Sequence, residues 1–460
     1  MFSKETYIHR RQTLKQKVGS GLILFLGNED SGMNYRDNVY PFRQDSSFLY
    51  YFGLDIPSIH AVIDIDNDQE IIFGNELTID DIVWTGPKEP LVDKAAKVGV
   101  SQVMPLAAID GFLKVILGKK QQIHFLPPYR AEHTLKLQEW LQVSPAEASQ
   151  KASVTLIKAI VSMRNYKTAE EIAEMEKAVD TSVDMHLDFM RNARPGMTEK
   201  EVAGKLQSIA IGAGGDISYP IILTVNGEIL HTHTRDLVMR EGQMGLCDAG
   251  AETAMRYCGD LTRTIPMGKQ FSSLQKDMYQ IVLNAQNASV DACKPGILFK
   301  DVHKLAATKL LEGLKSLGVV KGDPEEAVEN DVHTLFFQCG LGHMIGLDVH
   351  DMENLGEQYV GYTDDLVKGT TFGWKSLRLG RALEPGFVVT VEPGLYLIPT
   401  LIDRWKAENK LADFVDYNKL EILRDFTGIR IEDNVLITET GNRILGKHLP
   451  KEVAEVEALR

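Results

Sequence analysis

The chain has 460 residues, is 44% hydrophobic and 25% charged, and carries a formal net charge of −14. That length predicts two or three cores rather than one, in a protein of ordinary globular composition. The acidic balance argues against a nucleic-acid or anionic-membrane partner, both of which need a basic face, and leaves a small neutral or zwitterionic substrate as the better fit.

The charged N-terminus reads as a helix over 4–18, and the first apolar run, Leu22 to Leu26, is too short for a secretory signal. No run is long enough to span a bilayer, so a cytoplasmic location is expected. Strands are predicted over 22–26, 60–66 and 70–73, and helices over 110–117 and 129–141, an alternating α/β pattern. Between them, Tyr40 to Gly53 (YPFRQDSSFLYYFG) is unusually aromatic. Such a cluster is more often core or interface than substrate wall. This half carries no catalytic constellation.

The pattern changes after Met163-Arg-Asn-Tyr-Lys167, which places a domain boundary near 165. Thr168-Ala-Glu-Glu171 is a capping box, followed by apolar residues at helical spacing until Arg194-Pro-Gly196 stops the helix. A second box, Thr198 to Glu201, opens the next helix. Roughly one hundred residues later, Pro295-Gly-Ile-Leu-Phe-Lys-Asp-Val302 parallels Pro195-Gly-Met-Thr-Glu-Lys-Glu-Val202, each after a long helix. If the match is real, the second domain consists of two similar helix-helix-strand halves.

The first half leads into Leu246 to Pro266 (LCDAGAETAMRYCGDLTRTIP). Here Asp248 and Asp260 lie in two extended runs joined by a short connection, and alternation along paired strands points both carboxylates to one side. Like charges held close need a neutralising cation. A solvated hairpin with two ordinary acidic residues is the rival reading of this stretch. The second half offers further donors: Glu392 at the end of Val388-Val-Thr-Val-Glu392, Glu432 in Gly428-Ile-Arg-Ile-Glu432, and His343 and His350 in the glycine-rich run Gly340 to Asp351. His231 lies earlier, in Ile229-Leu-His-Thr-His233. The four cysteines form no CxxC pair and are expected to be reduced and buried.

Four carboxylates and an imidazole suit two hard or borderline divalent ions: manganese first, with cobalt, iron or zinc as alternatives. Two such ions roughly 3.5–4 Å apart can activate a shared nucleophile and polarise a carbonyl, which is hydrolytic chemistry. Histidines outside the ligand set are free to donate hydrogen bonds to the substrate or a developing oxyanion.

The ordered motifs DAG…GDLTRT, GLGHMIGLDVHD, TVEPGLY and GIRIEDN resemble those of the pita-bread metallopeptidases, in the branch that holds Xaa-Pro aminopeptidase (aminopeptidase P) and prolidase. YPFRQDSSFLYYFGL resembles that branch's N-terminal domain, so the resemblance covers nearly the whole chain. It implies an α+β fold, with a pita-bread (creatinase/aminopeptidase) catalytic domain over 166–460 and an N-terminal α/β domain of aminopeptidase P type over 1–165. It also implies that Asp248, Asp260, His343, Glu392 and Glu432 bind metal, with Asp260 and Glu432 bridging and Glu392 shuttling a proton. By the same resemblance His350 stabilises the intermediate, His231 contacts the substrate, Arg430 supports the site, and Arg378, with Arg381 close by, meets a substrate carboxylate. The expected substrate is a peptide with proline second, and the expected assembly a homodimer or homotetramer. An Xaa-Pro bond lacks an N–H, so an apolar slot for the ring is needed. The aromatic segment and Trp84 are candidates to restrict access, across a subunit boundary.

Some features depart from the family pattern. Asp248 and Asp260 are one residue further apart than usual, which predicts a bulge or longer turn. The His350-Asp351 motif continues Met-Glu-Asn instead of Val-Gly. Extra segments occupy 355–375 and 398–427, and together with SLRLGRALEPG they bring the chain closer to prolidase of eukaryotic type. Prolidase activity is therefore the alternative to aminopeptidase activity. A non-catalytic binding protein on the same scaffold and a metal-free creatinase-like hydrolase both conflict with the retained ligands, and methionine aminopeptidase lacks the full N-terminal domain in its short forms.

Overall fold

A computed structural model describes residues 1–232 and 234–460. The chain forms two units, Met1–Arg164 and Asn165–Arg460. Among the described residues no helix is long and apolar enough to cross a membrane.

The first unit opens with α1 (Lys4–Val18), whose start is fixed by Ser3 accepting a hydrogen bond from the Thr6 amide. It is followed by β1 (Leu22–Leu26), α2 (Ser46–Phe52), β2 (His60–Asp64), β3 (Gln69–Phe73), α3 (Ile79–Thr85), α4 (Leu91–Lys97) and β4 (Gln102–Met104). Then come α5 (Ala108–Gly118), β5 (Ile123–His124), α6 (Ala131–Leu141) and α7 (Val154–Arg164). The five strands form one mixed sheet in the order β4-β3-β2-β1-β5. The aromatic segment becomes α2, and every residue of that helix is buried. Phe52 packs edge-on to Phe25 with ring centroids 5.7 Å apart. Phe48, Tyr51 and Phe52 are wholly buried core, the commoner reading of such a cluster. Trp84, by contrast, is 85% exposed.

In the second unit, α8 (Ala169–Asn192) and α9 (Glu199–Gly212) each begin with a complete capping box, at Thr168/Glu171 and Thr198/Glu201. Strands β6 (Asp216–Ile217), β7 (Ile222–Thr224), β8 (Met244–Ala249), β9 (Ala251–Glu252) and β10 (Leu261–Pro266) follow. Next are α10 (Ser273–Ala292), α11 (Phe299–Ser316), α12 (Pro324–Glu329) and α13 (Glu357–Val360). The chain closes with β11 (Val388–Val391), β12 (Gly394–Tyr396), α14 (Pro399–Ala407), α15 (Tyr417–Ile422), β13 (Gly428–Arg430), β14 (Asp433–Ile437), β15 (Asn442–Ile444) and α16 (Val453–Ala458). Two three-stranded sheets, β10-β8-β7 and β11-β14-β15, form the two halves.

The internal repeat extends to single hydrogen bonds. Gly196 and Gly296, at φ +94° and +85°, both take the left-handed turn that glycine permits. The amides of Gly196, Glu199 and Lys200 donate to the carbonyls of Met239, Leu237 and Arg235; those of Gly296, Phe299 and Lys300 donate to Leu383, Arg381 and Gly380. Isolated bridges Thr198↔Val238 and Leu298↔Ala382 complete the match. The offset that carries Met239 to Leu383 also carries Asp248, in β8, to Glu392, just beyond β11. The two halves therefore deliver an acidic side chain from corresponding strand ends.

Candidate metal centre

Strand β8 pairs antiparallel with β10, with Thr262 opposite Asp248. Asp260 lies two residues before Thr262 and so shares its face, which brings both aspartates to one side of the hairpin. Beyond them the ladder continues to Glu252↔Cys258, and the Thr253 amide reaches the Tyr257 carbonyl. Arg256 closes the turn at φ +67°. The extra residue is thus absorbed in a longer turn with one left-handed residue, away from the carboxylates.

The two sheets meet at the site. Thr262 bridges to Glu432, and the Thr262 hydroxyl donates to Glu432 Oε2 at 2.6 Å. The glycine-rich segment runs beside β11: the Thr390 amide donates to the His343 carbonyl, and the Glu392 amide to the Leu341 carbonyl at 2.8 Å. A Cβ on Gly342 would stand 2.0 Å from the Thr390 carbonyl oxygen, so only glycine allows this approach. It sets His343 Nε2 3.4 Å from Asp260 Oδ2 and 3.6 Å from Glu392 Oε1. Ligand atoms of Asp260, His343 and Glu432 all lie within 4.8 Å of one another, and all three residues are buried.

Asp248 is tied more closely to protein. Arg430 Nη2 donates to its Oδ2 at 2.6 Å, and the Tyr219 hydroxyl lies 2.5 Å from both Asp248 Oδ1 and Asp260 Oδ1. Arg430 also donates from Nε to the Thr262 hydroxyl and from Nη1 to the Tyr396 hydroxyl.

The electrostatics follow from four carboxylates sharing one guanidinium. Burial pushes Glu392 up to about 8, against the pull of Arg430 and with the push of Asp260 and Asp248. Burial and the neighbouring carboxylates hold Glu432 far above the usual range, and burial raises Asp248 despite Arg430. Burial also works against ionisation of Asp260, yet the hydrogen bond and charge of His343 and the Tyr219 hydroxyl outweigh it and hold that carboxyl low.

These residues fit a divalent cation. His343 Nδ1 lies 3.0 Å from the Met344 carbonyl, which occupies that nitrogen and leaves Nε2 facing the Asp260 and Glu392 carboxylates as the nitrogen a cation can take as a ligand. The donors are oxygen and imidazole nitrogen, as hard and borderline ions require.

A cavity of about 560 Å³ opens over these groups, lined also by His231, His350, Arg378, Ile222, Leu230 and Val349. His350 packs edge-on to His343 with centroids 4.4 Å apart, and its Nδ1 lies 2.6 Å from Glu353 Oε2. Arg378 faces the cavity, whereas Arg381 is held by Glu384 at 3.0 Å and covers the Phe387 ring. His233 lies outside the described residues. The site residues read from the sequence line this one cavity, except Arg430, which reaches it through its hydrogen bond to Asp248. Tyr219, Thr262, Thr390 and Tyr396 were not among them. Thr262 and Tyr396 stand inside motifs already singled out, but nothing in the sequence around Tyr219 marks it.

Fold and site together define a metal-dependent hydrolase built from two half-sheets around a buried carboxylate cluster. The model of metallopeptidase family M24 matches residues 173–439, and that of the aminopeptidase P N-terminal domain matches residues 7–124. Xaa-Pro aminopeptidase of Escherichia coli is 30% identical, with 99% of this chain and 98% of that protein aligned. Human Xaa-Pro dipeptidase is 31% identical over 96% of this chain and 89% of its own length. Among solved structures, an E. coli aminopeptidase P variant in complex with substrate superposes with a TM-score of 0.81 at 30% identity, covering 100% of this chain and 98% of that one. A Pseudomonas aeruginosa aminopeptidase reaches the same 0.81 at 27% identity, with the same coverage. The chain belongs to metallopeptidase family M24, with an aminopeptidase P N-terminal domain before a pita-bread catalytic domain. It is a metallopeptidase of the Xaa-Pro aminopeptidase kind.

Proposed function

We propose that Asp248, Asp260, His343, Glu392 and Glu432 hold two divalent ions, manganese by preference, and that the cavity above them cleaves the bond between an N-terminal residue and a following proline. One observation carries the reading: four carboxylates and an imidazole nitrogen converge at one end of the cavity, where the Arg430 guanidinium pairs with one of them. Bound there, the ions supply Lewis acidity and an activated water for attack on the peptide carbonyl.

The chain's own groups do the rest. Glu392 lines the cavity beside the other ligands, and with the ions' charge holding it as a carboxylate it is placed to take a proton from the attacking water and pass it to the prolyl nitrogen. That nitrogen leaves as a secondary amine, so proton delivery is needed for the bond to break. His350 presents its ring to the cavity and supports the negative charge that develops on the carbonyl oxygen. His231 contacts the substrate beside the scissile bond. Arg430 holds Asp248 in place and, with Tyr396, fixes the wall behind it. Ile222, Leu230 and Val349 give the proline ring an apolar surface that asks for no N–H.

Arg378 is the residue that would meet a substrate carboxylate. Its place on the cavity wall, together with the similarity to a human Xaa-Pro dipeptidase, supports dipeptidase activity as the second reading. We also take 1–165 and 166–460 as the two domains, a cytoplasmic enzyme without nucleic-acid or membrane partner, and a homodimer or homotetramer. On α3, Ile79, Val83 and Trp84 are 76%, 73% and 85% exposed, an apolar surface suited to cover by a second copy.

The test is a cleavage series with manganese-loaded protein on Xaa-Pro, Xaa-Pro-Yaa and longer peptides. Release of the N-terminal residue from the longer substrates is expected; cleavage confined to the dipeptide would select the second reading, and inertness toward all of them would sink both.

A further inference from the structure

The segment after His350 departs from the family pattern, and it folds back on that histidine. Met352 takes a left-handed conformation at φ +59°, and the Glu353 amide donates to the His350 carbonyl at 3.1 Å. Met352 and Leu355 are buried, so the turn is anchored on both sides of Glu353. The turn returns the Glu353 carboxylate to the ring, with Oε2 2.6 Å from Nδ1. A carboxylate has no hydrogen to donate. Nδ1 must therefore carry the proton, and Nε2 is the ring nitrogen left to the cavity. Among the described residues Nε2 has no hydrogen-bond partner.

The carboxylate is itself braced. Arg378 Nε lies 3.4 Å from Glu353 Oε2 and 3.3 Å from Glu357 Oε1, and Lys368 pairs with Glu357. One carboxylate thus holds the histidine on the cavity wall while a guanidinium shared with a second carboxylate holds it in turn.

We propose that Glu353 is a positioning residue for the peptidase reaction: by holding Nδ1 it fixes the ring orientation of His350, so that Nε2 faces the cavity where the scissile carbonyl would lie. This rests on the role given to His350 above.

The experiment is a double-mutant cycle on the manganese enzyme with an Xaa-Pro-Yaa peptide. Glu353→Ala is expected to lower kcat by about 10–100-fold, the range seen when a partner behind a working histidine is removed, with KM changed by less than about twofold. Glu353→Gln, which keeps an acceptor oxygen, should recover most of the loss. Glu353→Ala should cost nothing further in a His350→Ala background, because its effect passes through that ring. Metal content and thermal midpoint are measured for every variant. If Glu353→Ala does not fold, Glu353→Asp replaces it, keeping the charge while withdrawing it from Nδ1, and the same loss of kcat is expected. Unchanged kcat in the single variant, or an equal loss in both backgrounds, overturns the proposal. Full activity of His350→Ala alone overturns the role of His350 instead, and the two failures are told apart by that arm.

Discussion

Arg430 and Asp248 form a buried ion pair, Nη2 to Oδ2 at 2.6 Å, with side chains only 3% and 11% exposed. The guanidinium also donates to Thr262 and Tyr396, so one residue of β13 ties the first half-sheet to β12. Replacing it by methionine leaves Asp248 buried without its partner. The metal-free protein should lose about 3–5 kcal/mol, read from urea unfolding. Divalent metal should restore part of that loss, because the ions supply the missing positive charge. A loss of the same size with and without metal would mean that Arg430 acts through packing alone.

Asp260 and Thr262 allow the ion site to be dissected. Asp260→Asn removes a charge from the middle of the cluster and should abolish both metal content and turnover. Thr262→Val keeps every ligand but deletes the hydroxyl that donates to Glu432 at 2.6 Å. Loss of such an orienting bond should weaken metal affinity by about 10–100-fold, recoverable at high manganese. Titration calorimetry alongside activity separates the two. Turnover by Asp260→Asn at any metal concentration would contradict the proposed ligand set.

Much of this was legible in the sequence where local chemistry dictates the outcome. The capping boxes at Thr168 and Thr198 set helix starts, the Pro-Gly pairs announced the repeat, and the Asp248 and Asp260 runs alternate as strands must. Tyr219 was hidden because it reaches the aspartates from the connection between β6 and β7, just after a very short strand whose place depends on tertiary pairing with β9. Glu353 was visible only as a departure from the motif. Its meeting with His350 depends on the left-handed turn at Met352, which no propensity predicts. The aromatic run of α2 showed its apolarity but not its direction, and burial on every side made it core.

Lys167 and Asp351 make a second buried pair, 3.0 Å apart, with both side chains 1% exposed. Asp351 follows His350 directly, and the Lys167 amide is bound to the Gly386 carbonyl at 2.8 Å, just ahead of β11. Lys167→Met should destabilise the fold by about 3–5 kcal/mol by removing the cation that faces the buried Asp351 carboxylate. Adding Asp351→Leu should return much of that stability, since two apolar groups need no partner. Activity should remain low in both variants because the loop carrying His350 loses its tether. A double variant no more stable than the single one would contradict the account.

His303 and His333 should make the fold sensitive to mild acid. Their rings stand 5.9 Å apart, and each packs against Trp374. None of their four ring nitrogens has a hydrogen-bond partner among the described residues. Burial lowers His303 from its ordinary 6.5 to about 3 and His333 to about 4. Both are neutral in the folded chain at pH 5, whereas in the unfolded chain they bind protons below about 6.5. The unfolded state therefore gains protons that the folded state refuses, and stability falls as pH drops from about 6.5 toward 4. At 1.36 kcal/mol per unit, each such group costs about 2 kcal/mol between pH 7 and pH 5. His333→Leu removes one titrating group and keeps the packing against Trp374, so the drop in unfolding free energy over that interval should shrink by about 2 kcal/mol. Urea unfolding of both proteins at pH 7 and pH 5 measures it. An identical drop in the two would show that the imidazole of His333 finds a partner for its charged form, and that the acid sensitivity arises elsewhere.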